Sequence, residues 1–342
     1  MTANGVDGTR TVEVACDESG SDGENLTGGN TDVFAHASVC LPQDAAAGCL
    51  REIRGRIRSP AEEYKANHLL REKHRAVLEW LLAPAGPVHG HAHVHLTEKA
   101  YFVVEQTVGL LLTEDGGDGA ATDATALYRT GPAAFGPDRW REFLAASNRL
   151  LRVRNSSAGS PVDAFFRTVD ELRPARPRTP ATEVLERLAE RRDRADAYRA
   201  RVTESPVLVP PLNPLLPAVV RTAAHWSAGG ARVSLVHDRQ NMLTPERIAW
   251  IEESARREGI ALTGVRLVES RRDARVQIAD FLAGIARKIA SDELNGRGDA
   301  VLTGLLRPYV GAGSVWGDDG SRSRLGAGAT VTVPAPGVGT GL

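Results

Sequence analysis

Cysteine is scarce: Cys16, Cys40 and Cys49 are the three in 342 residues. Their number is odd and no Cys-x-x-Cys spacing occurs, which argues against a disulfide-built secreted fold and for a reducing, cytoplasmic setting. An excess of either charge is also missing. With 42 Lys+Arg against 43 Asp+Glu the net charge is -1, too balanced for holding nucleic acid by bulk charge alone, though a local basic groove stays open. Lysine is confined to Lys65, Lys73, Lys99 and Lys288; arginine supplies the other basic residues. No long apolar run exists. The longest uncharged stretch, Ser205 to Val220, carries Pro206, Pro210, Pro211, Pro214 and Pro217, which forbid a regular spanning helix and suggest a rigid connector. The opening MTANGVDGTR has no basic region followed by an apolar run, so no signal peptide is read there. Walker, Gly-x-Gly-x-x-Gly and Gly-x-Ser-x-Gly motifs are lacking, which leaves nucleotide-dependent and serine-hydrolase readings unsupported.

What is present is ordinary globular material. Hydrophobic residues make up 42% and charged residues 25%, which excludes a wholly disordered chain. Thr11–Cys16 and Asp32–Leu41 read as strands joined by a Gly/Asp/Ser/Asn-rich turn. Helical spacing marks Gln43–Ile57, Glu72–Leu82 and Lys99–Leu112, and Val88–Leu96 alternates as a strand. From Glu114 the character changes: Asp138–Leu151 and the highly charged Thr182–Val202 read as helices around a Pro-rich stretch. Regular α/β patterning returns with strand Arg232–His237, helix Pro245–Arg257, strand Ala261–Val268 and helix Ala274–Ala290. The organisation expected is a core in two parts, 10–113 and 230–316, split by a mainly helical insertion, 114–229, and followed by a disordered tail, 317–342.

Three aspartates fall where ligand groups gather. Asp17 follows the first strand and Asp238 follows Val233–His237; strand ends in α/β sheets are where such groups converge. Asp280 stands in the middle of an apolar helix, Gln277-Ile-Ala-Asp-Phe-Leu-Ala-Gly284, with no capping role to explain it. A carboxylate facing inward there is costly unless paired, hydrogen-bonded or metal-bound.

Taken in order, Asp17-Glu-Ser-Gly20, Glu63-Tyr-Lys65, His237-Asp238-Arg-Gln-Asn241 and Gln277-Ile-Ala-Asp280-Phe-Leu-Ala-Gly284 resemble the family catalogued as domain of unknown function 3800. The likeness covers about residues 10–113 and 230–292. That family is regarded as ribonuclease H-like, so the resemblance implies an α/β fold: a mixed sheet flanked by helices, here with a mainly helical insertion. It also implies acids from separate elements around one or two divalent cations, Mg²⁺ or Mn²⁺. Phosphodiester hydrolysis must activate a water and stabilise a leaving oxyanion, and two hard cations about 4 Å apart do both while preferring carboxylate oxygens. Carried across, Asp17 bridges the metals, Asp238 and Asp280 are further ligands, Glu63 is the fourth acid, and Lys65 contacts a phosphate. The ribonuclease H pattern itself puts its second acid on the helix after the third strand, where this chain has Glu105; Glu63 precedes that strand. The family match favours Glu63, with Glu105 as its substitute. Glu18 is a further candidate: it points away from Asp17 if the strand continues through it, and joins Asp17 if the chain turns there.

Two other patterns compete for attention. His89, His91, His93 and His95 alternate, hence share one face of an extended strand; four in a row cannot all reach one tetrahedral ion, and a partly exposed sheet face lining the groove is expected. Arg187 to Arg201 is interleaved with acids and reads as a solvated surface of i,i+4 pairs. Arg271 and Arg275, just before the Asp280 helix, are better placed to meet a substrate backbone. The reading expected is a metal-dependent nuclease acting on nucleic acid; the alternative is a non-catalytic nucleic-acid-binding or regulatory module with the same fold.

Overall fold

The computed structural model describes residues 11–58, 65–113, 119–154, 159–174, 178–204, 207–317 and 319–326. Five strands form one mixed sheet: β1 (Thr11–Ser19), β2 (Val33–Val39), β3 (Ala92–Glu98), β4 (Arg232–Asp238) and β5 (Leu262–Val268), in the order β3-β2-β1-β4-β5. The pairs β1/β2 and β2/β3 are antiparallel, and β1/β4 and β4/β5 parallel. Every residue of β2 is buried, so both faces of the sheet are covered and the strand reads as a continuous apolar run broken only by His36 and Ser38.

Fourteen helices accompany the sheet among the described residues. The first three are α1 (Gln43–Ile57), α2 (Ala66–Leu69) and α3 (Arg75–Leu82). A helical block follows: α4 (Lys99–Leu112), α5 (Gly119–Phe135), α6 (Pro137–Leu151), α7 (Pro161–Leu172), α8 (Pro180–Ala189) and α9 (Arg192–Glu204). The chain then makes α10 (Leu215–Ser227), α11 (Pro245–Arg257), α12 (Ala274–Leu294), α13 (Ala300–Leu306) and α14 (Asp319–Leu325). None is long and apolar enough to cross a membrane.

Three packing units result. On one face of the sheet, Ile278, Leu282 and Ile285 of α12 join Ile53 of α1, Leu78 of α3 and the β2 residues Ala35 and Ala37. On the other, Val219 and Trp226 of α10 and Ile251 of α11 cover Val14, Cys16, Phe34 and Leu235. The helical block has its own core, in which Val104 and Leu111 of α4 meet Leu127, Phe143, Phe165 and Leu185. Local chemistry starts these helices where the pattern begins. Thr244 Oγ1 accepts the Arg247 N–H at 3.4 Å with Pro245 in the first turn of α11, and Asp273 Oδ1 accepts the Arg275 N–H at 2.9 Å at the head of α12, satisfying backbone donors that have no partner in the first turn.

Several expectations change. The strand read as Val88–Leu96 runs from Ala92 to Glu98, because Gly90 adopts a left-handed φ of 73° and turns the chain before it. The charged stretch Thr182–Val202 is two helices, α8 and α9, parted at Glu190 and Arg191. The Pro-rich connector ends inside a helix: Pro214 caps α10 and Pro217 sits in its first turn, where a missing N–H costs nothing. That helix covers the sheet rather than joining the helical block. Within the expected disordered tail, Asp319–Leu325 forms α14, held by the fully buried Leu325 and an Arg324–Glu293 ion pair.

Candidate functional site

Strand register brings the first two acids together. Cys16 pairs with His237 across parallel β1 and β4, so the next residues, Asp17 and Asp238, stand side by side at the carboxyl ends of neighbouring strands and on the same face. That face is the one carrying Ala15, which packs with Val236 and with Val276 of α12. Asp17 is 7% exposed. Its Oδ1 accepts the Glu18 N–H at 2.8 Å, and Asp238 Oδ1 accepts the Ser270 N–H at 2.9 Å, so both carboxylates are held by backbone. Asp280 arrives from α12, partly exposed, with its Oδ2 3.1 Å from Lys65 Nζ.

The charges feel one another. Burial pushes the Asp17 carboxyl well above the usual range, and Glu18, Asp280 and Asp238 push it further. Burial also lifts Glu18, to about 7, with Asp238 the strongest neighbouring charge and Asp280 a weaker one. Four carboxylates from β1, β4 and α12 therefore share one field. Their donor set is oxygen only, the set hard cations prefer. Among the described residues, no group of three His, Cys, Asp or Glu side chains is arranged to hold a metal ion.

Glu18 follows the first of the two sequence alternatives and points to the face opposite Asp17, yet its charge reaches the other acids. The strand continues through it to Ser19, with Glu18 opposite His36, so its Cβ points to the α10 face. Its carboxylate still acts on Asp17, raising that carboxyl, and is itself raised by Asp238. Glu18 Oε2 is buried with no hydrogen-bond partner, 3.6 Å from His237 Nε2, which is equally unpartnered. The His237 Nδ1 bonds the Asp238 carbonyl at 2.9 Å; a carbonyl only accepts, so Nδ1 carries the proton and Nε2 faces the carboxylate with a lone pair. Two acceptors facing each other in a buried setting are unfavourable without a proton, water or cation between them.

The remaining expected residues divide. Glu63 lies outside the described residues. Glu105 stands elsewhere: it lines a cavity with Tyr101, Arg129 and Trp316, and burial alone raises its pKa, with no carboxylate of the cluster contributing. Lys65 reaches Asp280, as described. Arg271 is exposed in the turn Ser270–Arg272 and lines a hollow of about 380 Å³ with Asp238, Arg239 and Glu269. Arg275, expected to meet substrate, is turned inward. It is 6% exposed, and its guanidinium bonds Asp273 twice, at 3.0 and 2.7 Å, and Glu13 at 2.7 Å. A buried Arg275–Asp273 pair, with the exposed Glu13 as a second acid for the guanidinium, fixes the start of α12 instead.

The histidine row is also corrected. His89 and His91 fall in the turn before β3, and His93 and His95 are buried under α10 rather than exposed to a groove. His36 joins them, stacked 5.3 Å from His237, while His93 stacks 3.8 Å from His225. Burial holds His95 and His237 down to about 4 and lowers His36 and His93 well below the usual imidazole range, so the layer is neutral imidazole. The basic stretch of α8 and α9 is consumed in structure: Arg187 pairs with Asp123, Arg192 with Asp163, and Arg199 bonds the Arg152 carbonyl.

No family model matches the chain, and no curated protein or solved structure matches it.

Proposed function

We propose that this chain is a divalent-metal-dependent phosphodiester hydrolase with a ribonuclease H-like core, acting on nucleic acid through Asp17, Glu18, Asp238 and Asp280. The observation that carries the reading is the shared field of these acids at the carboxyl ends of two parallel strands. Crowding a buried carboxylate, Asp17, with three partly buried ones is unfavourable for the fold alone, and a cation is the counterpart that turns this cost into binding energy. The donor set fits Mg²⁺ or Mn²⁺: every candidate ligand is a carboxylate, and the buried Glu18 Oε2 has no hydrogen-bond partner. The sequence resemblance to domain of unknown function 3800 supports the same fold and three of these acids, Asp17, Asp238 and Asp280, and adds Glu63 as its fourth.

When bound, the ions supply positive charge at the phosphate and lower the pKa of the attacking water. The chain's own residues do the rest. Asp17 and Asp238 are held by backbone N–H donors, so their oxygens need little reorganisation. Glu18 Oε2, buried beside His237 Nε2 and without a hydrogen-bond partner, would offer one more carboxylate oxygen there. Lys65 and Arg271 stand beside Asp280 and Asp238 and bring positive charge to the substrate backbone. Three free thiols suit a reducing, cytoplasmic setting.

The test is cleavage of single- and double-stranded DNA, RNA and a hybrid with Mg²⁺ or Mn²⁺. Wild type is expected to cut at least one, and Asp17→Asn or Asp238→Asn to lose on the order of a hundredfold or more. Folded wild type that cuts none overturns the hydrolase reading and leaves the non-catalytic binding module.

A further inference from the structure

On the α10 face of the sheet, Glu18 and His237 form a pair that the three aspartates do not share. Glu18 stands opposite His36 of β2, and Cys16 pairs with His237 of β4, so the two side chains come from neighbouring strands. Glu18 Oε2 and His237 Nε2 are 3.6 Å apart, and each is buried with no hydrogen-bond partner. The imidazole is fully buried and fixed in two ways. Its Nδ1 donates to the Asp238 carbonyl at 2.9 Å. Its ring stacks 5.3 Å from that of His36, whose own Nδ1 lies 2.8 Å from Thr222 Oγ1 on α10. Nε2 is therefore left with a lone pair beside the carboxylate oxygen.

The separation decides what can join the two atoms. A direct hydrogen bond needs about 2.7–3.2 Å, so 3.6 Å is too long even if one atom carries a proton. One water donating to both, with legs of about 2.8 Å, holds its acceptors roughly 4.5 Å apart. A tetrahedral zinc ion, with legs of about 2.1 Å to nitrogen and oxygen, holds its ligand atoms roughly 3.4 Å apart. The ion comes nearest. The bond behind the imidazole points the same way, since metal-bound histidines pass their other N–H to a carbonyl or carboxylate, which fixes the tautomer. Among the described residues no group of three His, Cys, Asp or Glu is arranged to hold a metal, so the pair is the protein's share of the shell. Water supplies the rest, reached past Glu18, whose side chain is 14% exposed.

We infer that Glu18 Oε2 and His237 Nε2 chelate a borderline transition ion, Zn²⁺ or Co²⁺, at a site whose chemistry differs from the all-oxygen set of Asp17, Asp238 and Asp280. An imidazole nitrogen favours these ions, whereas Mg²⁺ and Mn²⁺ suit carboxylate and water. The inference deepens the proposed function by naming the ion that Glu18 holds, and rests on it only for the role of the neighbouring aspartates. Its test is binding. Zn²⁺ and Mn²⁺ are titrated by calorimetry at pH 7.5 into the full chain, Glu18→Gln and His237→Phe, and the zinc titration is followed by ¹H–¹⁵N correlation of the imidazoles. Glutamine keeps the shape of Glu18 and removes its charge; phenylalanine keeps a ring against His36 and removes the ligand nitrogen.

Each variant is expected to bind Zn²⁺ at least tenfold more weakly than wild type, with His237→Phe keeping its Mn²⁺ affinity. In wild type the Nε2 resonance that His237→Phe lacks is expected to move as zinc is added. Zinc affinity unchanged in both variants overturns the inference, as does zinc uptake that leaves that resonance unmoved, which assigns the ion to histidines elsewhere. Equal loss of Zn²⁺ and Mn²⁺ in His237→Phe also overturns it, since the two sites are then one. If His237→Phe does not fold, Glu18→Gln and the imidazole spectrum of wild type decide. Zinc held by both residues in a protein that cuts no nucleic acid keeps the site and removes the hydrolase. Cleavage with Mg²⁺ and no zinc on His237 keeps the hydrolase and removes the site.

Discussion

Replacing Glu18 by Gln should make the metal-free protein more stable while destroying its activity. Glu18 is 14% exposed at its side chain and its pKa is lifted from 4.5 to about 7 by burial and by Asp238. For an acid whose folded pKa is raised, the folded state binds the extra proton between the two values, so stability falls as pH rises through that window. The loss is complete above about pH 8 and is on the order of 3 kcal/mol. Glutamine removes the charge, and its amide N–H can donate to the lone pair of His237 Nε2, which has no partner in wild type. The buried histidines act with the opposite sign. His95 and His237, held at about 4, cost stability as pH falls below 6.5, because the unfolded chain then binds protons that the folded chain refuses. The difference between variant and wild type cancels that background. Urea unfolding at pH 5, 6, 7 and 8 without metal should therefore show the Glu18→Gln advantage growing with pH, from under about 1 kcal/mol at pH 5 to about 3 kcal/mol at pH 8. An advantage independent of pH, or a variant less stable than wild type at pH 8, would refute the charge-crowding argument.

Other outcomes follow from the same geometry. Arg275→Ala should cost on the order of 3 kcal/mol in urea unfolding, because it strands Asp273, 5% exposed, without its cation. Gly284→Ala places a methyl 2.3 Å from the Ala66 Cβ; the overpacking penalty of about 1–3 kcal/mol outweighs the roughly 1 kcal/mol that alanine gains over glycine in a helix, so the melting temperature should fall. Lys65→Ala frees Asp280 of its cation and should tighten Mn²⁺ binding several-fold while slowing cleavage, a split that calorimetry and a nuclease assay read separately.

Much of the scaffold was legible in the sequence, for identifiable reasons. Helices Gln43–Ile57 and Pro245–Arg257 match their expected bounds because apolar spacing and their start and stop signals agree. The convergence of Asp17 with Asp238 followed from each ending a short β-prone run, which register then aligned. Glu18 was harder, since strand alternation turns it away from Asp17 to lie beside His237, and only its charge reaches the other acids. Arg275 misled because a basic residue before an acidic helix looks solvent-facing, and its partner Glu13 is far away in sequence. The histidine row was misread at Gly90, a single left-handed residue that takes His89 and His91 out of the strand. In α10 the prolines signalled a connector, but they occupy the helix start, where they are tolerated.

Binding of Mn²⁺ measured by calorimetry at pH 7.5 tests the central claim most directly. Wild type should take up one or two ions, and Asp17→Asn and Asp280→Asn, shown folded by circular dichroism, should bind at least tenfold more weakly. Wild type that binds no ion, or variants that bind as wild type does, would contradict it.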